Sequence, residues 1–402
     1  MTDTKTTDFI IEEGVLVRYT GNDKNITVPE EITEIGKYWD EDEKGAFEGC
    51  DFLENIIIPN NVTHIGIDTF KGCKNLKSVS LSDNITTLCG NFSDCTNLEN
   101  VTLPKNLTVI GSLTFNNCVN LKEIDLPDGL EYIGEGAFYG CKSLKKIIIP
   151  DSVSSIGESS FSSCTALKAV TIPSNIKQIP DTSFAHCSEL EDVTILNGVE
   201  KINRAVFADC INLKSVTIPS SVVSIGYRAF CDCKNIETIN IPNSVSYISD
   251  CAFEGCSSLK EIIISDNVKR IENKAFANCI NLQNIIIPNS VTEIGWGAFS
   301  NCKSLKNITI PDSVTSIGDS AFGGCKNLRN ITIPDSVVSF DVGNCGIKNC
   351  VFEYCNNLVI HCNKGSRAEQ YAKEHGIPYN IIDTSQSKCN LKCAENELSA
   401  HI

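Results

Sequence analysis

Fourteen times in this chain a Phe is followed three residues later by a Cys, from Phe47 and Cys50 to Phe352 and Cys355. A thiol at fixed spacing could pair with another thiol or hold a metal. Zinc needs converging Cys or His ligands, and a line of single Cys residues gives no tetrahedral closure. Disulfides between successive units fit the ~4.4–6.8 Å Cα window, but parallel Cβ vectors suit them poorly. A third reading is packing. Free Cys is among the most buried residue types, small and soft enough to fill a narrow bend while its thiol bonds a loop carbonyl. Packing is the preferred reading. The N-terminus shows no basic segment leading into an apolar one, so no secretory signal is seen, and disulfides belong to oxidising compartments.

The remaining Cys are Cys89, Cys231, Cys251, Cys345, Cys350, Cys362, Cys389 and Cys393. Cys345 and Cys350 share an irregular insertion, and Cys389 and Cys393 stand four apart in the C-terminal tail. With His361, His375 or His401 nearby in sequence, they make a remote metal or redox alternative. Their spacing matches no strong ligand pattern, and unpaired surface thiols are the simpler expectation. His64 and His186 complete the five His and fall at variable positions of the repeat. No nucleophile elbow, zinc-protease, phosphate-loop or dinucleotide motif is present. The chain is read as a non-enzyme without metal or cofactor.

The elements that must position these residues come from a repeat. The residue after each I-x-I triplet recurs every 23 residues from Pro104 to Pro334, ten steps without a break. Upstream the series runs through Pro29, Pro59 and Ser82, its longer first step absorbing the insertion "KYWDEDEKG". In the unit that starts at Pro150, the apolar positions are Val153, Ile156, Phe161, Leu167, Val170 and Ile172. The segment L-x-x-V-x-I alternates like a short strand. Pro ends that strand, and the I-G step is read as a second bend because Gly accepts conformations other residues resist. Six buried side chains cannot offset the entropy of ordering one such unit alone, so units must stack. The fold class is therefore a repeat solenoid of about fourteen coils with a long parallel β-sheet on one face, roughly 65 Å at ~4.8 Å per strand.

The pattern L-x-x-I-x-I-P-x-S-V-x-x-I-G-x-x-A-F-x-x-C-x-N resembles the BspA-like class of leucine-rich repeats over about residues 26–360. "FIIEEGVLVRYTGNDKNITVPEEI" resembles the N-terminal β-hairpin cap of such proteins. "LVIHCNKGSRAEQYAKEHGIPYNII" resembles their C-terminal cap, in which G-S-x-A-x-x-Y-A starts a closing helix. The implied domains are a tail and hairpin cap at 1–25, a leucine-rich repeat solenoid at 26–357, a C-terminal cap at 358–382, and a tail at 383–402 that matches no known pattern and is a candidate for disorder.

The residue before the last Ile of each strand points away from the core. Candidate binding residues in that column are Ile148, Thr171, Thr194, Thr217, Asn240, Ile263, Ile286 and Thr309. Ile263 and Ile286 follow one another and form the best patch. β-branched residues also suit a pleated ladder whatever the function. Beside the repeat Leu runs a column of mixed Lys and Glu, read as a solubilising rim.

The net charge of −16 disfavours nucleic acid, because phosphate binding needs a Lys/Arg surface. Residues 1–54 hold fifteen acids against five bases, a solvated acidic end. No run reaches ~18 apolar residues, so no membrane insertion is expected. The expected function is a non-catalytic protein-protein interaction scaffold or recognition module, acting as a monomer on a protein ligand. The resemblance implies adhesion to host or cell-surface proteins. The alternative is an intracellular scaffold or effector. Localisation reads as cytoplasmic from the N-terminus, or as cell surface or secreted by a non-classical route.

Overall fold

The protein is described from a computed structural model over residues 8–36, 44–340 and 350–382. Most of the KYWDEDEKG insertion, together with Cys345, Cys389, Cys393, His401 and the tail, lies outside the described residues. The chain divides into two compact units, residues 1–245 and 246–402.

In the first unit each coil begins with the apolar alternation of L-x-x-V-x-I. Val170, Val193 and Ile172 turn inward, and Ala169, Asp192 and Thr171 turn outward. The parallel ladder is carried in segments. Asn25–Thr27, Asn55–Ile57, Ser78–Ser80 and Asn100–Thr102 pair in order, as do Ala169–Ile172, Asp192–Ile195 and Ser215–Thr217. Between them the equivalent stretches at 121–126 and 144–149 form no strand, although Lys145 N–H still reaches the Lys122 carbonyl at 3.2 Å. Pro then closes a turn, for instance with Val153 N–H on the Pro150 carbonyl at 3.1 Å. A second, two-residue strand follows: Val109–Ile110 pairs in parallel with Tyr132–Ile133, which pairs with Ser155–Ile156.

Gly36 in the first I-G step is left-handed (φ 75°), but in later coils the glycine of that step acts differently from the expected bend. Gly134 has no left-handed φ, but a Cβ there would lie 2.4 Å from the Gly111 carbonyl carbon and the Ser112 nitrogen. It is small because successive coils touch at that point. From Phe70 to Phe230, left-handed residues flank each stacked Phe two positions away, as at Ser159 (φ 53°) and Ser163 (φ 61°) around Phe161. Gly, Asn and Asp tolerate this region best, and the position two after Phe is often one of them: Gly140, Asn117, Asp209.

Between these two residues the chain turns a tight corner. Phe161 N–H donates to the Ser183 carbonyl at 2.8 Å and Ser163 N–H to the Ala185 carbonyl at 2.8 Å, so the corner's donors are satisfied by the next coil. The Phe rings stack from Phe47 to Phe230 with centroids 5.2–5.8 Å apart and planes within 18°. That separation, at that parallelism, is an offset stack. The N-terminal hairpin, Phe9–Glu12 antiparallel to Val15–Tyr19, adds its second strand in parallel to Glu34–Ile35. Tyr19 covers the open end of the ring column, 5.4 Å from Phe47, and donates its hydroxyl to Asp23 at 3.0 Å.

The second unit repeats the plan. Glu261–Ile263 pairs with Asn284–Ile286, and Asn307–Thr309, Asn330–Thr332, Val359–Cys362 and Tyr379–Ile381 pair in series. The closing helix Arg367–His375 starts where G-S-x-A was expected to start it. Ser366 is the N-cap, accepting from Glu369 N–H, while the Glu369 side chain accepts from Gly365 N–H at 2.6 Å. Gly376 (φ 65°) is the left-handed C-cap. The helix buries Tyr371, whose ring lies 4.3 Å from Phe340 and 6.1 Å from Phe352. Its hydroxyl accepts the Val351 N–H at 3.0 Å and lies 2.9 Å from the Cys350 sulfur.

Candidate functional site

The Cys column has a structural task. In the first unit the thiols from Cys73 to Cys233 each donate to the carbonyl of the preceding coil's Phe at 3.0–3.2 Å. In the second, Cys279, Cys302, Cys325 and Cys355 do the same at 3.2–3.3 Å. Burial pushes the thiols of Cys118, Cys141, Cys164, Cys187, Cys210, Cys302, Cys325 and Cys355 up, Cys187 to about 12, and so disfavours the thiolate. The packing reading holds, in the form that also uses the thiol's proton. Among the described residues no cluster of three or more His, Cys, Asp and Glu side chains is arranged to hold a metal ion.

Three of the His side chains make local contacts. His186 faces Asp209 at 3.4 Å, His375 Nδ1 lies 2.9 Å from the Tyr371 carbonyl, and His361 Nε2 lies 3.1 Å from Asn330 Oδ1.

That leaves the outward column of the strands. All eight candidates are exposed. Thr171, Thr194 and Thr217 are register neighbours in the first unit. Ile148 is 63% exposed but sits in a coil without a strand, so no ladder partner fixes it. Asn240 ends the strand Thr238–Asn240. In the second unit Ile263 and Ile286 are register neighbours, 69% and 81% exposed, and Thr309 opens a series that continues through Thr332 to His361.

Two polar columns flank this one. The rim of Lys and Glu becomes a chain of ion pairs where signs alternate between coils: Glu54 bridges Lys24 at 2.8 Å and Lys77 at 2.6 Å, and Lys122 meets Glu99 at 2.8 Å. Hydrogen bonds from Lys24 and Lys77 hold the Glu54 carboxyl down at about 2. On the sheet itself, Asn330 donates to Asn307 Oδ1 at 3.0 Å and Asn55 to Asn25 Oδ1 at 2.7 Å. These amide ladders went unread in the sequence, although Asn at 307 and 330, one period apart, was their signal.

The face can therefore bury apolar side chains and exchange amide hydrogen bonds with another macromolecule. A family model described as BspA type Leucine rich repeat region (6 copies) matches residues 16–128, 108–237 and 223–359. Among solved structures, a leucine-rich repeat protein from Bacteroides ovatus ATCC 8483 is similar at 26% identity and TM-score 0.69, covering 93% of this chain and 97% of that one. A leucine rich cell surface protein from Faecalibacterium prausnitzii A2-165 is similar at 30% identity and TM-score 0.53, covering 90% and 94%. A leucine-rich repeat protein from Eubacterium ventriosum ATCC 27560 shares the fold at 22% identity and TM-score 0.50, over 81% and 95%. Comparison with curated proteins finds no match.

Proposed function

Because this chain belongs to the BspA-type leucine-rich repeat family, we propose that it is a non-catalytic protein-interaction module whose partner docks on the outward strand column. One observation carries the reading. Ile263 and Ile286 hold apolar side chains 69% and 81% exposed, side by side, on a regular sheet. A paired apolar anchor with polar flanks is what a protein interface needs at its centre. Thr309 extends that column within the second unit, and Ile148, Thr171, Thr194, Thr217 and Asn240 are the outward residues of the first unit; they supply complementarity rather than most of the energy.

The chain itself acts at a cell surface, in an adhesin-like role on a protein ligand. Support comes from the similar Faecalibacterium prausnitzii structure, described as a leucine rich cell surface protein. The immobilised full chain, exposed to biotin-labelled epithelial surface proteins, captures a specific set in this reading. Ile263→Glu/Ile286→Glu, which folds because both positions are solvent-facing, captures at least tenfold less. Equal capture by the variant would sink the placement.

A further inference from the structure

Across three strands of the second unit the outward column is the midline between a basic and an acidic edge. Three residues before Ile263 stands Lys260, and three after it stands Asp266. Thr309 lies midway between Lys306 and Asp312, and Thr332 midway between Arg329 and Asp335. In the coil of Ile286 both edges are neutral amides, Gln283 and Asn289. All of these charged residues are exposed.

Copying of one consensus unit would also produce Lys on one edge and Asp on the other. The first unit argues for charge opposition itself. There Lys77 and Asp83 flank Ser80, but Glu99 and Lys105 flank Thr102. At that one coil both edges change sign together, whereas Glu54, Glu191 and Glu237 stand opposite the neutral Asn60, Asn197 and Asn243.

We propose that this face docks a second copy of the same chain, on a two-fold axis running along the coil-stacking direction through Ile263, Ile286, Thr309 and Thr332. The proposal rests on the outward column being a binding face and names one occupant for it. Rotation about that axis turns the sheet over and exchanges its edges. Lys306 then faces the partner's Asp312, Arg329 the partner's Asp335, and Lys260 the partner's Asp266. Ile263 and Ile286 meet their own copies, covering the exposed apolar pair. An axis along the strands would instead set like charges together, so the charge order selects one isologous arrangement.

Five of these six charges are available, and Lys260 already has an interaction within the chain. Among the described residues Lys306, Arg329, Asp266 and Asp312 take part in no ion pair within the chain, and Asp335 accepts only a neutral bond from Asn363 at 2.8 Å. Five strands at ~4.8 Å, each crossed over ~23 Å, bury roughly 1,000 Å² in total, the size of a weak, reversible contact. This departs from the monomer expected from the sequence.

Sedimentation velocity on the purified full chain from about 10 μM to about 1 mM tests it. The expected result is a dimer whose dissociation constant rises about tenfold between low and high salt. Lys306→Asp alone and Asp312→Lys alone each weaken it about tenfold, because two like-charge contacts form. An equimolar mixture of these two variants regains association, since every contact at that level in the mixed pair is again of opposite sign. A wild type that stays monomeric to ~1 mM, or a mixture no better than either variant alone, overturns the proposal. The readout needs no other protein. If the chain is monomeric while Ile263→Glu/Ile286→Glu still loses surface-protein capture, self-docking falls and the interaction reading stands.

Discussion

The Cys187 thiol donates to the Phe161 carbonyl oxygen at 3.2 Å, and the Cys164 N–H donates to the same oxygen at 3.3 Å. Both lone pairs of one buried carbonyl are used, one by its own coil and one by the next. Cys suits the position because the donor must be small, and its surroundings are the Phe stack.

Cys187→Ala removes that second donor and leaves a small void. The carbonyl keeps its bond from Cys164, so the cost is moderate, about 1–2 kcal/mol by urea denaturation. In the folded state Cys187 also resists alkylation at pH 8, where a thiol pushed up to about 12 is thiolate in about one molecule in ten thousand. Rapid labelling without denaturant would contradict this.

Ser160 sits where other coils place Ala, just before the stacked Phe, and its buried hydroxyl has no hydrogen-bond partner. Ser183, in the equivalent place, donates to the Pro180 carbonyl at 2.7 Å. Ser160→Ala therefore stabilises by about 1 kcal/mol, while Ser183→Ala is neutral or destabilising; the midpoints of paired urea curves separate the two.

Gly134 and Gly72 are both glycines for different reasons. Gly134→Ala forces backbone 2.4 Å away to shift and costs about 3 kcal/mol or more. Gly72→Ala has open space around its Cβ but keeps φ at 70°, and costs about 1 kcal/mol. Similar melting points for the two variants would contradict the coil-contact role of the I-G glycine.

Burial lowers the His64 pKa. The unfolded chain then binds more protons than the folded one between that lowered value and the ordinary ~6.5. His64 thus leaves stability intact above pH ~6.5 and reduces it as pH falls below, until the folded-state value is passed. His64→Gln flattens that part of the stability–pH curve; an unchanged slope would remove His64 as its source.

The period and the inward positions were legible because they rest on residue types that only one environment suits, as at Phe161 and Val170. Both caps were legible through a family resemblance, which placed the start of the closing helix at Gly365, Ser366 and Ala368; the structure adds that Ser366 is its N-cap. The missed features depend on contacts between coils, which no single unit shows. Gly134 read as a bend and proved to be a close approach. The left-handed residues were hidden because Ser159, Ser163 and His186 occupy them as well as Gly and Asn. For the binding column, exposure at Ile263 and Ile286 was readable from alternation. Ile148 shows its limit: the pattern is that of a strand, yet the ladder is broken there.

The central claim is that the recurring Phe and Cys build the fold while the outward column does the work. Capture of epithelial surface proteins by Cys187→Ala/Cys210→Ala and by Ile263→Glu/Ile286→Glu, alongside their melting points, tests it most directly. The cysteine variant is predicted to melt several degrees lower and capture as wild type does. The isoleucine variant is predicted to melt as wild type does and lose capture. Loss of capture in the cysteine variant at a temperature where it is fully folded, with the isoleucine variant unaffected, would contradict the account.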